Sequence, residues 1–484
     1  MQFDTNNKFL NGPFEPWHEE TEQFDLEIIG EVPQELNGAL FRTGSNPKYK
    51  PRHVDRYHWF EGDGMVYAVY LRDGKAAYKN KWVNTDALKV EVEAGEAIYS
   101  GFVNGGTIPA LPEGAPQMKN VPNTNVGIQG DRLLVFFEGG LPHQMHPESL
   151  ETHGTYDFNG DVPFTCTAHY KVDPDTGNML FYSYQGTLVT WYEADSHGQI
   201  VDTHAFNVKA PSMFHDFAIS ENYAIFFVTP ALFLGENVAK GNPGLIWDEA
   251  ATEGGVEIVT MHRKTHEVKV FRVEDAFFPT HFFNAYEEGT KLVIEAPRIE
   301  RFGTPIEQTN NPLSSHEWFK NAIPWRWEVD FATGTVRDTV TSNIAGEFPM
   351  INPKNLGRKH NFGYFVTTRG VAEDTMSDGL AKNDLNRETV TVIEGLDDLT
   401  NPSEPIFVPR EGSDNEDAGY LLSIWWNRAT GKSELCIYDT EDFGRTPLAR
   451  IPLPGRVPFG FHGSWAGRDE IEQSLKVLAD EGKN

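Results

Sequence analysis

Cysteine is nearly absent from the 484 residues: Cys166 and Cys436 are the only two, too few for a disulfide framework. No charged segment followed by an apolar one opens the chain, so the expectation is a reduced, cytoplasmic protein. Positive charge is also scarce. With 41 basic against 71 acidic residues the formal charge is −30, which repels phosphate backbones and anionic headgroups and excludes nucleic acid as a partner. Long hydrophobic runs are missing too. LLVFF (133–137) and AIFFV (224–228) fall far below the ~18 residues that cross a bilayer as a helix. Common catalytic signatures are absent: there is no GxSxG elbow, GxGxxG turn, P-loop, CxxC pair or HExxH helix.

Aromatic residues are plentiful, with 33 Phe and 11 Trp, enough to build a core largely from rings. Most of the chain reads as short runs of β-branched and aromatic residues between Gly, Pro, Asn and Asp, as in DRLLVFFEGG, ENYAIFFVTP and YLLSIWW. Helical periodicity is confined to DEIEQSLKVLADEG (469–482) and FLGENVAKG (233–241). A turn recurs as VDPDTG (172–177), VDFATG (329–334) and NRATG (427–431), which suits an all-β propeller or sandwich. The polar stretches 370–390 and 409–419 read as surface loops, and neither marks a domain boundary.

Of the 16 histidines, His153, His197, His262, His266 and His360 sit among polar residues and read as solvated. Four others stand in apolar or aromatic surroundings: His169 in CTAHY, His215 in SMFHDF, His281 in PTHFFNAY and His462 in FGFHGSW. Neutral imidazole is a good ligand for a first-row metal, but spacings of 46, 66 and 181 residues match no local ligand pattern. Each histidine taken alone also fits a core residue bonded to a carbonyl. Glu138 in LLVFFEGG, Glu347 in AGEFPMI and Glu434 in KSELCIY border apolar runs, where each is either a surface charge or an acceptor for a ligating imidazole.

These segments, together with LNGALFRTGSNP (36–47), HWFEGDGMVYAV (58–69) and VPFGFHGSW, resemble in order and over almost the whole chain the carotenoid cleavage oxygenases. That family also includes stilbene-cleaving enzymes and the retinoid isomerase of the eye. The resemblance implies one propeller domain over residues 1–484, with seven blades and short helices and loops forming a cap over the metal. It further implies Fe(II) held by His169, His215, His281 and His462. By motif, Glu347 would orient His215, Glu434 would orient His281 and Glu138 would orient His462. In FGFHGSW the small Gly460 and Ser464 would leave room for the metal.

The implied reaction is oxidative cleavage of a conjugated C=C bond by O2 into two carbonyl compounds. Members that cleave phenolic stilbenes carry a tyrosine and a lysine where this chain has Phe102 and Phe137. An apolar wall leaves a phenol hydroxyl unpaired and suits a polyene, so a carotenoid or apocarotenoid is the expected substrate. The alternatives are a stilbene or phenylpropenoid, or a non-cleaving propeller acting as an isomerase or binding scaffold. Leu232, Phe233 and Leu234 are expected to make shallow, reversible contact with a membrane, and no obligate protein partner is inferred.

Overall fold

The computed structural model describes residue 3 and residues 5–107, 110–305, 321–369, 376–396 and 398–481. Its sheets form a seven-bladed β-propeller in which consecutive antiparallel strands run outward within each blade. Blade two, for example, comprises Asn125–Gln129, Arg132–Phe136, His143–Met145 and Thr152–Thr155. Blades three to six begin at Lys171–Val172, Ala218–Ile219, Phe278–Pro279 with Asn284–Glu288, and Gly346–Met350. Blade seven has Ile406–Pro409 and Leu399–Thr400 inside, then Gly419–Asn427, Lys432–Asp439 and Ala449–Pro452.

The two ends of the chain close the ring. Near the C-terminus, Gly463–Gly467 pairs antiparallel with Gly38–Ser45 and becomes the innermost strand of blade one. Near the N-terminus, Ile29–Gly30 pairs with Ala449–Pro452 at the outside of blade seven. Pairing strands from opposite ends ties blade one to the C-terminal segment and blade seven to the N-terminal one, which closes the ring.

The recurring turn has a physical cause. Asp173, Asp330 and Asn427 each accept the N–H groups two and three residues ahead with their side-chain oxygen. Their carbonyls take the N–H of Gly177, Gly334 and Gly431, which stand at φ 72°, 73° and 68°, a region that suits glycine. The same turn recurs with different residues at His262, where His266 has φ 60°, and at Asp384, where Glu388 has φ 54°. The device is therefore more regular than the sequence echo that signals it.

The helix expected at 469–482 is present as Arg468–Glu481; residue 482 lies outside the described residues. The other expected helix, 233–241, shrinks to Gly235–Val238. Residues 409–419 connect two strands as expected, but the expected loop at 370–390 is corrected. Gly379–Asp384 and Thr389–Ile393 are the outer strands of blade six, while 370–375 lie outside the described residues. The small sheet of Ala231–Phe233, Leu245–Trp247 and Thr304–Pro305 lies apart from the blades.

Rings fill the seams between blades. Trp327 is fully buried, stacks on Phe277 at 5.1 Å and meets Phe227 of blade four edge-on at 5.4 Å. Its truncation would leave a cavity across the blade four and five seam. Trp327→Ala should cost about 3–5 kcal/mol, read as a lower denaturant midpoint for the first unfolding transition; an unchanged midpoint would contradict this packing role.

Candidate metal centre

Because the inner strands converge on the axis, residues at their beginnings meet. His169 immediately precedes the Tyr170 and Lys171 entrance to blade three, His215 precedes blade four, His281 lies between the two inner segments of blade five, and His462 precedes the inner strand of blade one. All four side chains come together. Ring centroids of His169 lie 4.4, 5.0 and 4.5 Å from those of His215, His281 and His462. His281 is 5.0 Å from His215 and 4.8 Å from His462. One nitrogen each from His169, His281 and His462 lies within 4.8 Å of the others.

Three of these rings are held by carboxylates, in pairings that differ from those expected. Nδ1 of His215 is 3.0 Å from Glu138, Nδ1 of His281 is 2.7 Å from Glu347, and Nδ1 of His462 is 2.7 Å from Glu404. Glu138 therefore orients His215 rather than His462, and Glu347 orients His281 rather than His215. Glu434 touches none of the four. It lies in the third strand of blade seven, 2.9 Å from Arg450 and 2.7 Å from Asn427, too far out in the blade to face the axis. Its place is taken by Glu404, which stands just before the inner strand of that blade. The sequence signal for Glu404 is its position before the apolar PIFV run, the reverse of Glu138, which follows LLVFF.

Local backbone explains two of these placements. Register slips between Glu347 and Met350, and Phe348 adopts φ 55°; such a bulge re-aims the neighbouring side chains. Glu347 thereby reaches His281 and accepts the Thr280 hydroxyl, while the Phe348 ring packs 5.5 Å from His281 and 5.3 Å from His462. Glu404 accepts the Gly463 N–H at 2.9 Å, and the buried Arg42 guanidinium lies 3.6 Å from its carboxylate. Gly460 serves close packing rather than the centre: a Cβ there would lie 2.9 Å from Gly44 Cα.

The donor set fits a divalent first-row cation. With Nδ1–H donated to carboxylates, the opposite nitrogens of His215 and His281 carry lone pairs, yet these atoms are 3.2 Å apart. They cannot hydrogen-bond to each other in that tautomer. His169 Nε2 is buried without a hydrogen-bond partner. Burial and the neighbouring imidazoles hold His169 and His281 well below the usual histidine range. For His215 burial acts in the same direction, but Glu138 outweighs it and the net shift is upward. Burial pushes Glu347 up to about 8. His360, expected to be solvated, is instead buried against Glu295 at 3.1 Å.

Two cavities reach this cluster. One, of about 580 Å³, includes Phe60, Phe102, Phe137, Phe348 and Phe461 in its wall, with His215, His281 and His462 at its inner end. Phe102 and Phe137 thus lie together, 5.7 Å between centroids. The second, about 2000 Å³ and open, reaches His169, His281 and His462 past polar groups including Asn125, Lys171 and Glu404.

A propeller with four axial imidazoles and three supporting carboxylates defines a β-propeller of the metal-centre class. Residues 14–467 match the family described as retinal pigment epithelial membrane protein. The chain belongs to that family, the carotenoid cleavage oxygenases. It is 30% identical to isoeugenol monooxygenase of Pseudomonas putida, across 96% of this chain and 99% of the relative. It is also 30% identical to a carotenoid 9,10(9',10')-cleavage dioxygenase of Crocus sativus, across 96% and 90%. The solved Pseudomonas brassicacearum lignostilbene dioxygenase superposes with a TM-score of 0.85 at 26% identity, covering 96% of this chain and 99% of that one.

The corrected contacts separate two otherwise similar glutamates. Glu404→Gln should weaken iron retention about 10- to 100-fold, whereas Glu434→Gln should leave it at the wild-type level. Metal content after dialysis against a graded chelator series checks both; equal losses would contradict the assignment of Glu404.

Proposed function

We propose that this chain is a non-haem Fe(II) dioxygenase that cleaves a conjugated C=C bond of a carotenoid or apocarotenoid. His169, His215, His281 and His462 would hold the ion, with Glu138, Glu347 and Glu404 fixing three of the rings. When bound, Fe(II) supplies activation of the co-substrate O2 for oxidation of the double bond to two carbonyl compounds. The chain's own task is to place that bond beside the histidines and keep water from it.

The ring-lined cavity carries this reading. Trp59 and six phenylalanines line it, and His215, His281 and His462 form part of the same wall. By the family resemblance, Phe102 and Phe137 would stand where the stilbene-cleaving members carry a tyrosine and a lysine for the phenol. With no polar atom on either side chain, they reward apolar surface and leave a phenol hydroxyl without a partner.

A polyene must leave a lipid environment to reach this cavity. Phe233 is 36% exposed and lies 6.3 Å from Phe102, between the half-buried Leu232 and Leu234. These residues provide a small apolar contact for a membrane near the cavity. No described helix is long and apolar enough to cross one.

Two measurements address these points. Wild-type protein loaded with iron should turn over apocarotenals in preference to resveratrol-like stilbenes, and the double variant Phe102→Tyr, Phe137→Lys should gain about tenfold in the stilbene-to-polyene ratio of kcat/KM. Stilbene turnover without polyene turnover by the wild type would overturn the substrate reading. Phe233→Asp should lower co-sedimentation with uncharged phosphatidylcholine vesicles, and undiminished co-sedimentation would remove Phe233 from the membrane contact.

A further inference from the structure

Phe102 is shared by two chambers. On one side lies the ring-lined cavity, and on the other a chamber whose lining includes the charged groups Arg52, Arg56, Glu61, Asp63 and Lys119. The chain that carries Phe102 has no regular secondary structure, so its position depends on what its backbone grips. On one side, the Phe102 carbonyl accepts the Gly244 N–H at 2.9 Å, and Gly106 donates to the Gly241 carbonyl at 3.0 Å. On the other, Thr107 donates to His53 Nε2 at 2.9 Å, and Asn104 donates to the Arg56 carbonyl at 2.8 Å.

The grip nearest to Phe102 is a carboxylate. Glu61 Oε1 accepts the Val103 N–H at 2.6 Å, and Oε2 accepts the His58 N–H at 3.2 Å. The loop lies directly on this group: a Cβ at Gly101 would fall 2.2 Å from Oε2, so only glycine allows the approach. Glu61 also follows Phe60, whose ring lines the cavity and packs 5.6 Å from Phe461. One side chain thus joins two parts of the same wall.

We propose that Glu61 is a positioning residue for substrate selectivity, fixing through Val103 the backbone that sets the Phe102 ring against Phe137. It touches neither the histidines nor the ring-lined cavity, and acts by holding the wall still. This rests on the reading that the cavity is the substrate site. The geometry requires both oxygens to accept. Burial pushes Glu61 up to about 7, so its charged form, which accepts both N–H groups, predominates above that pH and is lost below it.

Glu91 holds the start of the loop, accepting the Ile98 and Tyr99 N–H groups at 2.9 and 3.2 Å, and the Val103 contact falls to Glu61. Lys119 is 2.7 Å from both Asp63 and Glu91 and is occupied by them. His53 accepts from Thr107, Tyr57 bonds to Ser45 at 3.0 Å, and burial keeps His58 well below the usual histidine range. Arg52 and Arg56 line the outer part of the chamber.

The isosteric Glu61→Gln variant tests the idea, because its amide can accept only one of the two N–H groups cleanly. In iron-loaded protein, hydrogen exchange in residues 100–107 should accelerate about tenfold. KM for an apocarotenal should rise about tenfold at pH 8 with kcat within about twofold and iron content unchanged. In the wild type KM should fall as pH rises from 6 to 8, and in the variant it should be flat. Wild-type KM together with wild-type exchange in Glu61→Gln would overturn the proposal, as would a loss of iron or a fall in kcat alone. If wild-type protein turns over no polyene, the substrate reading fails, and unchanged exchange at 100–107 would then overturn the role of Glu61 independently.

Discussion

The three carboxylate–imidazole bonds on the axis place negative charge where little water can solvate it. Glu138, Glu347 and Glu404 face one small cluster, and among the described residues only Arg42, beside Glu404, forms an ion pair of Lys or Arg with any of them. The nearby Lys171 is engaged 2.8 Å from Asp216. The upward push on Glu347 reflects the cost of holding that charge in a buried site. A divalent cation among the free imidazole nitrogens would offset it while each carboxylate keeps its ring in orientation. The same contacts that would be costly alone become a coherent donor set around a metal.

Propeller topology makes the arrangement possible. Every blade supplies one group: His462 in blade one, Glu138 in blade two, His169, His215 and His281 in blades three to five, Glu347 in blade six and Glu404 in blade seven. Residues far apart in sequence become neighbours because strand ends at the axis carry them, mostly the starts of inner strands and, for Glu138, the end of the second strand of blade two. Asp216 reinforces three of those beginnings, bridging Lys171 to the Phe282 N–H at 3.1 Å. Closure by Gly463–Gly467 then places His462 beside His169, 4.5 Å between ring centroids, completing from the C-terminal end a cluster begun in blade three.

This topology also explains what could be read from the sequence. Strand composition and the Asp or Asn turns indicated an all-β chain, and the family motifs singled out the four histidines that the structure gathers. Spacing could not do so, since ring closure erases sequence distance. The carboxylate partners were harder. Glu434 and Glu404 both border apolar residues in the same blade, and nothing local distinguishes a third strand from an inner one. The choice between them depends on strand order, a non-local property. His360 shows the converse: polar neighbours suggested a solvated ring, but Glu295 and Asn284 of blade five bury it.

The axial cluster and the walls above it answer to different constraints. His215, His281 and His462 are each fixed by a hydrogen bond to a carboxylate from another blade, so a change there disturbs the centre itself. Phe102 belongs to a loop, and its ring meets Phe137 and Phe233 without any side-chain hydrogen bond. Exchanging such rings alters which molecules fit while leaving the imidazoles in place. That separation is consistent with relatives of equal identity named for isoeugenol and for a carotenoid. On the proposed reading, the blades build the ring, whereas selectivity would depend on a few side chains at the cavity wall and on the backbone contacts that hold them there.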